Sequence, residues 1–265
     1  EVHPQLFNIV EEMKISASLP TMPKVYIINE AAPNAFATGI KPENSAVAVT
    51  AGLLARLNRD ELQGVVAHEV SHIVNRDVLF MTFAGIMLGS IVLISEVFLR
   101  SLWFGGGRYS SKSSKSSGQG QMIIMIVAIV FAILAPILAQ LLYFAISRKR
   151  EYLADASAVR YTRYPEGLAS ALEKIADSTE ELKTANKVTA PMYIANPLKQ
   201  KGRKLSDLTS THPPISERVR ILRNMSGGAN YVDYQNSFNK IKRSQTQIIP
   251  SSGLVDQTPM ELKES

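Results

Sequence analysis

The sequence predicts an α+β fold that is interrupted by a hairpin of two membrane-spanning helices. Two long apolar runs, at residues 78–99 and 123–146, contain a single charged side chain, that of Glu96. The chain on either side of them combines short runs of strand-forming residues with runs that have the periodicity of amphipathic helices. A small sheet packed against helices, with an inserted hairpin, accounts for these observations.

Composition excludes several classes of site and partner. The 265 residues include no cysteine, which rules out disulfide scaffolds, cysteine-ligated zinc, iron–sulfur clusters and a thiol nucleophile. The 29 lysines and arginines exceed the 23 acidic residues too slightly to predict a nucleic-acid partner. This mild basic excess suits a membrane surface that carries anionic lipid equally well.

The first part of the chain, residues 1–77, is expected to form three strands and a helix. The strands are predicted at residues 24–29, 35–40 and 46–50. The helix follows at residues 61–75, with Asn58 or Asp60 in position to cap its first turn.

The middle part, residues 78–147, is expected to cross a membrane twice. Each apolar run exceeds the roughly 20 residues that span a hydrocarbon core about 30 Å thick. Both runs are apolar around the whole helix, and a chain of this size cannot cover two such helices as a buried soluble hairpin. The glycine- and serine-rich residues 105–121 are expected to be a flexible loop. Two crossings return the chain to its starting side, whereas basic residues at both ends of the second run leave the orientation open.

The remaining chain is expected to contain a second helical part and a tail. Within residues 148–228, helices are predicted at residues 152–161, 166–176 and 215–225. Residues 229–265 are polar and lack periodicity, so a disordered tail is expected there.

The helix at residues 61–75 carries an H-E-x-x-H motif, formed by His68, Glu69 and His72. Two histidines four residues apart project from one helical face, with Cβ atoms about 5–6 Å apart, so both imidazoles can reach one metal ion. Glu69 lies about 100° around the helix from His68, where it can meet a water on that metal without being a ligand. The alternative is the wet face of an ordinary amphipathic helix.

A catalytic zinc ion needs a third protein ligand and an open fourth position, and Glu151 is the best candidate for that ligand. The two crossings restore Glu151 to the side of the membrane that holds the histidines. Asp155 lies one helical turn later and can accept the outward N–H of His68. Asn75 and Asp77, just past the motif, are interpreted as helix termination and an outer hydrogen bond. One zinc ion per chain is predicted.

Four features occur in the order of a known family: HEVSHIVNRD, the two apolar runs, SRKREYLAD and THPPISER. Over residues 25–223 the chain resembles the HtpX group of membrane zinc metalloproteases, which are relatives of the CAAX prenyl endopeptidase. The resemblance implies a gluzincin-type fold with zinc on His68, His72 and Glu151, and Glu69 as the catalytic base. It also implies proteolysis of misfolded or membrane proteins, in quality control, at the cytoplasmic face of a prokaryotic cell membrane. Family members usually carry two further spans ahead of the catalytic domain, and this sequence starts after that point.

The resemblance extends to substrate binding and to the oxyanion. It implies that an edge strand above the metal pairs with the substrate backbone through Asn34, Ala35, Phe36 and Ala37. It also implies that His212 and Arg218 lie beside the active site, where a donor can stabilise the oxyanion. Without the resemblance, His212 is a loop histidine and Arg218 a surface charge.

Three other interpretations are open. An intramembrane protease is disfavoured because charged residues such as Arg59, Asp60 and Glu61 precede the motif on its own helix. A non-catalytic zinc-binding membrane adaptor or scaffold would not need Glu69. Prenyl-protein processing normally requires a multi-span chamber that two helices cannot build.

Overall fold

The computed structural model describes residues 3–105, 118–180, 194, 210–225 and 228–254. The chain divides into two compact units. Glu1–Leu79 and Arg148–Ser265 form the first, here called the main unit, and Phe80–Ser147 form the hairpin unit. Most of the loop predicted at residues 105–121, and the tail after residue 254, lie outside the described residues.

The main unit contains a three-stranded mixed sheet. Its strands are β1 (Lys24–Ile28), β2 (Ala35–Thr38) and β3 (Ala46–Thr50), in the order β1-β3-β2. The central strand β3 pairs parallel with β1 and antiparallel with β2, so β2 is an edge strand. Val47 and Val49 on β3 are fully buried, and Ala48 and Thr50 are buried as well, so this central strand is covered on both faces although its sequence alternates.

Three helices surround the sheet in the first part of the chain: α1 (Pro4–Ser16), α2 (Ala51–Arg56) and α3 (Arg59–Val74). Neither α1 nor α2 was among the predicted elements. The motif helix α3 matches its prediction closely, and the predicted cap Asn58 forms a reciprocal capping box with Glu61. This box satisfies backbone donors at the start of the helix that carries the two motif histidines.

The second part of the main unit adds three helices in a row: α6 (Pro165–Ala176) packs on α3, α7 (Ile215–Arg223) on α6, and α8 (Tyr231–Lys242) on α7. Helices α3 and α6 approach closely at Gly64. A Cβ atom added there would lie 2.7 Å from the backbone nitrogen of Leu168. The absence of a side chain at Gly64 therefore lets the two helices pack backbone to backbone.

The prediction of disorder from residue 229 onward is wrong for the described residues up to 254. Helix α8 lies there, with a capping box at its start and buried Tyr234 and Phe238. Beyond it, Ile248 and Ile249 are buried, and both of their backbone N–H groups donate to the Gln235 side chain. The polar composition led to the wrong prediction because a few well-spaced apolar residues suffice to dock a helix on an existing core.

The hairpin unit contains the larger parts of two long helices, α4 (Asp77–Gly105) and α5 (Gly118–Thr162). Both are long and apolar enough to cross a membrane. Large apolar side chains on them face outward: Phe131 is 67% exposed and Ile124 is 71% exposed. A hairpin buried in a soluble core would hide these side chains, so that alternative does not describe the molecule. Helix α5 continues without a break through the helix predicted at residues 152–161.

Candidate active site

Helix α3 places His68, Glu69 and His72 in the interior of the main unit. His68 and Glu69 are almost completely buried, and His72 is partly buried. The imidazole rings of the two histidines meet edge to face, with centroids 4.8 Å apart. Their Nε2 atoms lie only 3.2 Å from each other, so both nitrogens face one shared point.

Glu151 on α5 completes this cluster. Its Oε2 lies 3.6 Å from Nε2 of His68, and its Oε1 lies 3.6 Å from Nε2 of His72. One ligand atom from each of the three residues lies within 4.8 Å of the others. Two imidazoles and a carboxylate that are far apart in the sequence therefore come together.

The cluster fits a zinc ion. Ligand atoms held tetrahedrally at about 2.0–2.1 Å from zinc stand roughly 3.3 Å apart, close to the separations of the cluster. Two imidazoles and one carboxylate are a donor set of catalytic zinc sites, with a fourth position left open. Among the described residues, both carboxylate oxygens of Glu69 are buried without a hydrogen-bond partner, which the water on a bound ion would relieve.

A carboxylate holds the outer nitrogen of each imidazole. Oδ1 of Asp155 lies 3.0 Å from Nδ1 of His68, and Oδ2 of Asp77 lies 2.7 Å from Nδ1 of His72. A carboxylate at Nδ1 keeps the proton on that nitrogen and leaves the Nε2 lone pair free for a metal. Asp155 thus lies where the sequence predicts it, and Asp77 makes the outer hydrogen bond expected of it.

Charge and burial set the proton affinities within the cluster. Burial acts to lower the pKa of His68, but its contacts with the Asp155 and Glu151 carboxylates outweigh burial and raise that pKa. Burial acts to raise the pKa of Glu151, but neighbouring His212 and His68 hold it well below its usual value. A Glu151 side chain that stays ionised is the form in which a carboxylate binds a metal.

The pKa of Glu69 is shifted in the opposite direction to that of Glu151. Burial raises the pKa of its carboxyl above the ordinary value, although the two neighbouring histidines act in the other direction. The Ala37 backbone on β2 also acts to lower the pKa of this carboxyl. Glu69 therefore lies between the metal cluster and the edge strand, with the proton affinity of a group suited to accept and return a proton.

His212 and Arg218 both lie at the cluster, but in different ways. Nδ1 of His212 lies 3.0 Å from Oε2 of Glu151. Arg218 is fully buried and forms a two-pronged contact with Asp155, through Nε at 2.8 Å and Nη2 at 2.6 Å. Although burial acts to raise the pKa of Asp155, the charge of Arg218 holds it below its ordinary value. The Arg218 fork thus points to Asp155, whereas the family resemblance implies a candidate donor for the oxyanion and the residues alone a surface charge.

The predicted substrate strand is the edge strand β2, with Asn34 directly before it. Asn34 is buried and is bonded to Thr50 through its backbone. The carbonyl of Ala35 accepts a hydrogen bond of 3.0 Å from the backbone of Ile194, whose own carbonyl accepts from Arg218. One backbone group of the predicted substrate strand is therefore engaged by a later part of the chain.

Two side chains near the cluster have surroundings that the sequence did not predict. Arg150 binds Asp77 and the end of α3. Tyr234 on α8 is fully buried, and burial together with the charge of Asp155 raises its pKa well above the usual value. Arg150 could have been suspected from the sequence because it directly precedes Glu151. The burial of Tyr234 could have been suspected because Tyr234 and Phe238 are four residues apart, on one face of a helix.

Comparison with known proteins gives a consistent result. The family model described as Peptidase family M48 matches residues 2–226. A Protease HtpX homolog of Dictyoglomus turgidum is 53% identical over 225 residues, which cover 85% of this chain and 70% of that protein. Proteins of the same name from Caldanaerobacter subterraneus and Listeria monocytogenes are 48% and 49% identical, over 83% and 85% of this chain and 72% and 75% of their own lengths. The family match ends before α8 begins.

Proposed function

Because this chain belongs to peptidase family M48 and is a metalloprotease, we propose that it is a membrane-anchored zinc endopeptidase of the gluzincin type. The observation that carries the proposal is the cluster of His68, His72 and Glu151, with Glu69 buried beside it. The resemblance of the motifs to the HtpX group supports the same conclusion.

His68, His72 and Glu151 would hold the metal. When bound there, zinc supplies a Lewis acid that polarises a peptide carbonyl and lowers the pKa of water from about 15.7 to about 7. The imidazoles are prepared for this task because a carboxylate at each Nδ1 orients the ring.

Glu69 is the general base and then the general acid. It accepts a proton from the water whose oxygen forms a bond to the scissile carbonyl carbon. It then gives that proton to the amide nitrogen as the carbon–nitrogen bond breaks, so that an amine and a carboxylic acid leave. Its raised pKa supports the second step, because a carboxyl that holds its proton more tightly is populated in the donor form.

His212 is the better candidate for stabilising the oxyanion, and Arg218 is a positioning residue. Nε2 of His212 is buried without a hydrogen-bond partner among the described residues, while the guanidinium of Arg218 is taken up by Asp155 and the Ile194 carbonyl. A donor that is already committed to a buried carboxylate has little freedom to follow a developing charge.

The proposed substrates are unfolded or membrane polypeptides, which pair their backbone with the edge of β2 beside Glu69. The exposed apolar side chains of α4 and α5 support anchoring in a lipid bilayer. A site at the cytoplasmic face of a prokaryotic cell membrane, and a role in protein quality control, rest on the resemblance to the HtpX group.

The test compares the full chain with its Glu69→Gln variant in detergent, with casein as the unfolded substrate. We expect the wild type to cleave casein and to stop when a chelator removes the metal. Glu69→Gln should keep its zinc and lose activity by about 10²–10⁴-fold, because the proton acceptor is gone. Glu11→Gln, an exposed carboxylate on α1, serves as the matched control.

Two results would contradict the proposal. Equal cleavage by the wild type and Glu69→Gln would remove Glu69 from the mechanism. A wild type that binds zinc and cleaves nothing would favour the alternative of a non-catalytic zinc-binding membrane adaptor or scaffold.

A further inference from the structure

We propose that Arg150 is a positioning residue that holds His72 in place for the metal by fixing the carboxylate of Asp77. The three side chains are here called the His72 relay. The inference rests on the metal site of the proposed function, and it assigns to Arg150 a role that it exerts through the carboxylate of Asp77.

The relay begins with a tight turn between two helices. Helix α3 ends at Val74, Asn75 caps it, and α4 begins at Asp77. Arg76 between them adopts a left-handed conformation with φ of 52°, which is uncommon for a residue other than glycine. This turn brings the Asp77 carboxylate back to the last turn of α3, where Oδ2 lies 2.7 Å from Nδ1 of His72.

Arg150 binds the other side of the same carboxylate. Its Nε and Nη2 both contact Oδ1 of Asp77. Nη2 also donates a hydrogen bond of 2.8 Å to the Asn75 carbonyl, which would otherwise be an unsatisfied acceptor at the end of α3. One planar guanidinium therefore fixes both the end of the motif helix and the carboxylate that orients His72.

Burial gives this contact more weight than a surface ion pair. The side chain of Asp77 is 7% exposed and that of Arg150 is 22% exposed. Removing the arginine would leave a nearly buried carboxylate without its charged partner. Asp77 would then lose the contact that sets its rotation, and the imidazole it orients would lose its fixed direction.

The other histidine of the cluster has the same support. His68 contacts Asp155, and Asp155 is held by the two-pronged contact of Arg218. Both imidazoles are thus backed by a carboxylate, and both carboxylates by an arginine. The repetition of this arrangement, with Arg150 behind Asp77 and Arg218 behind Asp155, indicates that the arginine is part of how each ligand is held.

Arg150 also occupies a distinctive place in the chain. The chain leaves the main unit after Leu79 and re-enters it at Arg148. Asp77 and Arg150 therefore lie next to these two points, and Arg150 directly precedes Glu151 on α5. The contact between them joins the start of α4 to α5, and the bond from Arg150 to the Asn75 carbonyl joins the end of the helix that carries the two histidines to the helix that carries the third ligand.

The test measures zinc affinity of the metal-free full chain in detergent, by competition with a chelator. Arg150→Gln should bind zinc about 10–100-fold more weakly than the wild type, the usual effect of removing a partner behind a ligand. Arg150→Lys should fall between them, because an ammonium keeps the charge but lacks the fork. Lys149→Gln, an exposed cation one residue earlier, should bind like the wild type.

A double variant separates a relay from general damage. If Arg150 acts through Asp77, then Asp77→Asn combined with Arg150→Gln should bind zinc no more weakly than Asp77→Asn alone. Wild-type affinity in Arg150→Gln, or losses that add in the double variant, would overturn the proposal. If Arg150→Gln does not fold, Arg150→Lys decides: weakened zinc binding at an unchanged unfolding temperature supports the relay, and wild-type affinity overturns it.

The two proposals fail in different ways. Intact casein cleavage together with an unaffected zinc affinity in Arg150→Gln would reject the relay alone. A wild type that binds zinc without cleaving casein would reject the proposed function, while the zinc affinities of the variants would still decide the relay. A wild type that binds no zinc would reject both.

Discussion

Arg218 is the residue whose environment departs furthest from what its place in the sequence suggests. An arginine on a short helix is normally a surface charge, and the family resemblance makes this one a candidate donor for the oxyanion. In the structure it is fully buried against Asp155. The sequence could point to its importance, but the choice of partner depends on how α7 packs on α5.

Removing the charge of Arg218 tests this assignment. Arg218→Met is expected to destabilise the metal-free chain by about 3–5 kcal/mol, because Asp155 is left buried without its partner. Denaturant unfolding in detergent measures the change. Arg220→Met, an exposed arginine on the same helix, should change the free energy of unfolding by less than about 0.5 kcal/mol. Similar values for the two variants would argue against a buried ion pair.

At the scale of elements, α3 was predictable because its signals are local. The capping box, the four-residue spacing of the histidines and the apolar face all lie within one continuous stretch. The strand β3 has the predicted bounds for the same reason. Helix α8 was not predicted, because its few apolar residues gain their meaning only from the core on which they dock.

A carboxylate on α3 joins this helix to α6. Glu61 caps α3 through Asn58 and accepts hydrogen bonds of 2.7 Å from both Ser170 and Lys174. Burial acts to raise the pKa of Glu61, but the contacts with Lys174 and Ser170 hold it below its ordinary value of 4.5. The stabilisation from the ionised carboxylate is therefore complete above pH 4.5 and is lost as the pH falls below it.

Replacing this carboxylate should change the acid response of the protein. Glu61→Gln is expected to lower the free energy of unfolding at neutral pH by about 1 kcal/mol, since the cap and the charged contact are weakened. The difference from the wild type should shrink as the pH falls below 4.5. Unfolding curves across this range measure it, with the exposed Glu43→Gln as control. A difference that grows on acidification would refute the stated direction of the pKa.

Helix α8 is expected to contribute to the stability of the fold. Phe238 is almost completely buried and packs edge to face on Tyr152, with ring centroids 4.9 Å apart. Phe238→Ala should destabilise the protein by about 3–5 kcal/mol through the cavity it leaves. Thermal unfolding compares it with Lys240→Ala, an exposed position on the same helix. An unchanged unfolding temperature would mean that α8 does not contribute to the core.

At the scale of the whole molecule, the two apolar helices predict that the protein is held in a membrane by its apolar surface. Their exposed side chains include Phe83, Ile94, Ile124 and Phe131. Apolar area of this kind holds a protein in a bilayer through the hydrophobic effect, which salt does not screen. A protein held only by its net charge of +6 would instead be released by salt.

Membrane extraction separates these two kinds of binding. We expect the full chain to stay with the membrane fraction in about 1 M salt, where the Debye length falls to about 3 Å, and at alkaline pH, and to be released by detergent. In a flotation experiment, the chain should also rise with liposomes of neutral lipid, because apolar anchoring does not need charged lipid. Release of the chain by salt alone would contradict a spanning hairpin.

The amino-acid sequence by itself determined the H-E-x-x-H motif of His68, Glu69 and His72 and the two apolar runs, because each rests on spacing or composition within a short stretch. Glu151 could be named as a candidate ligand, but only folding brings it to the two histidines. Only the tertiary structure decided the pairing of two arginines with two carboxylates, the bond from Ile194 to the edge strand and the docking of α8. Those features join segments that are distant along the chain, and their partners are selected by packing and by the need to neutralise charges that folding buries.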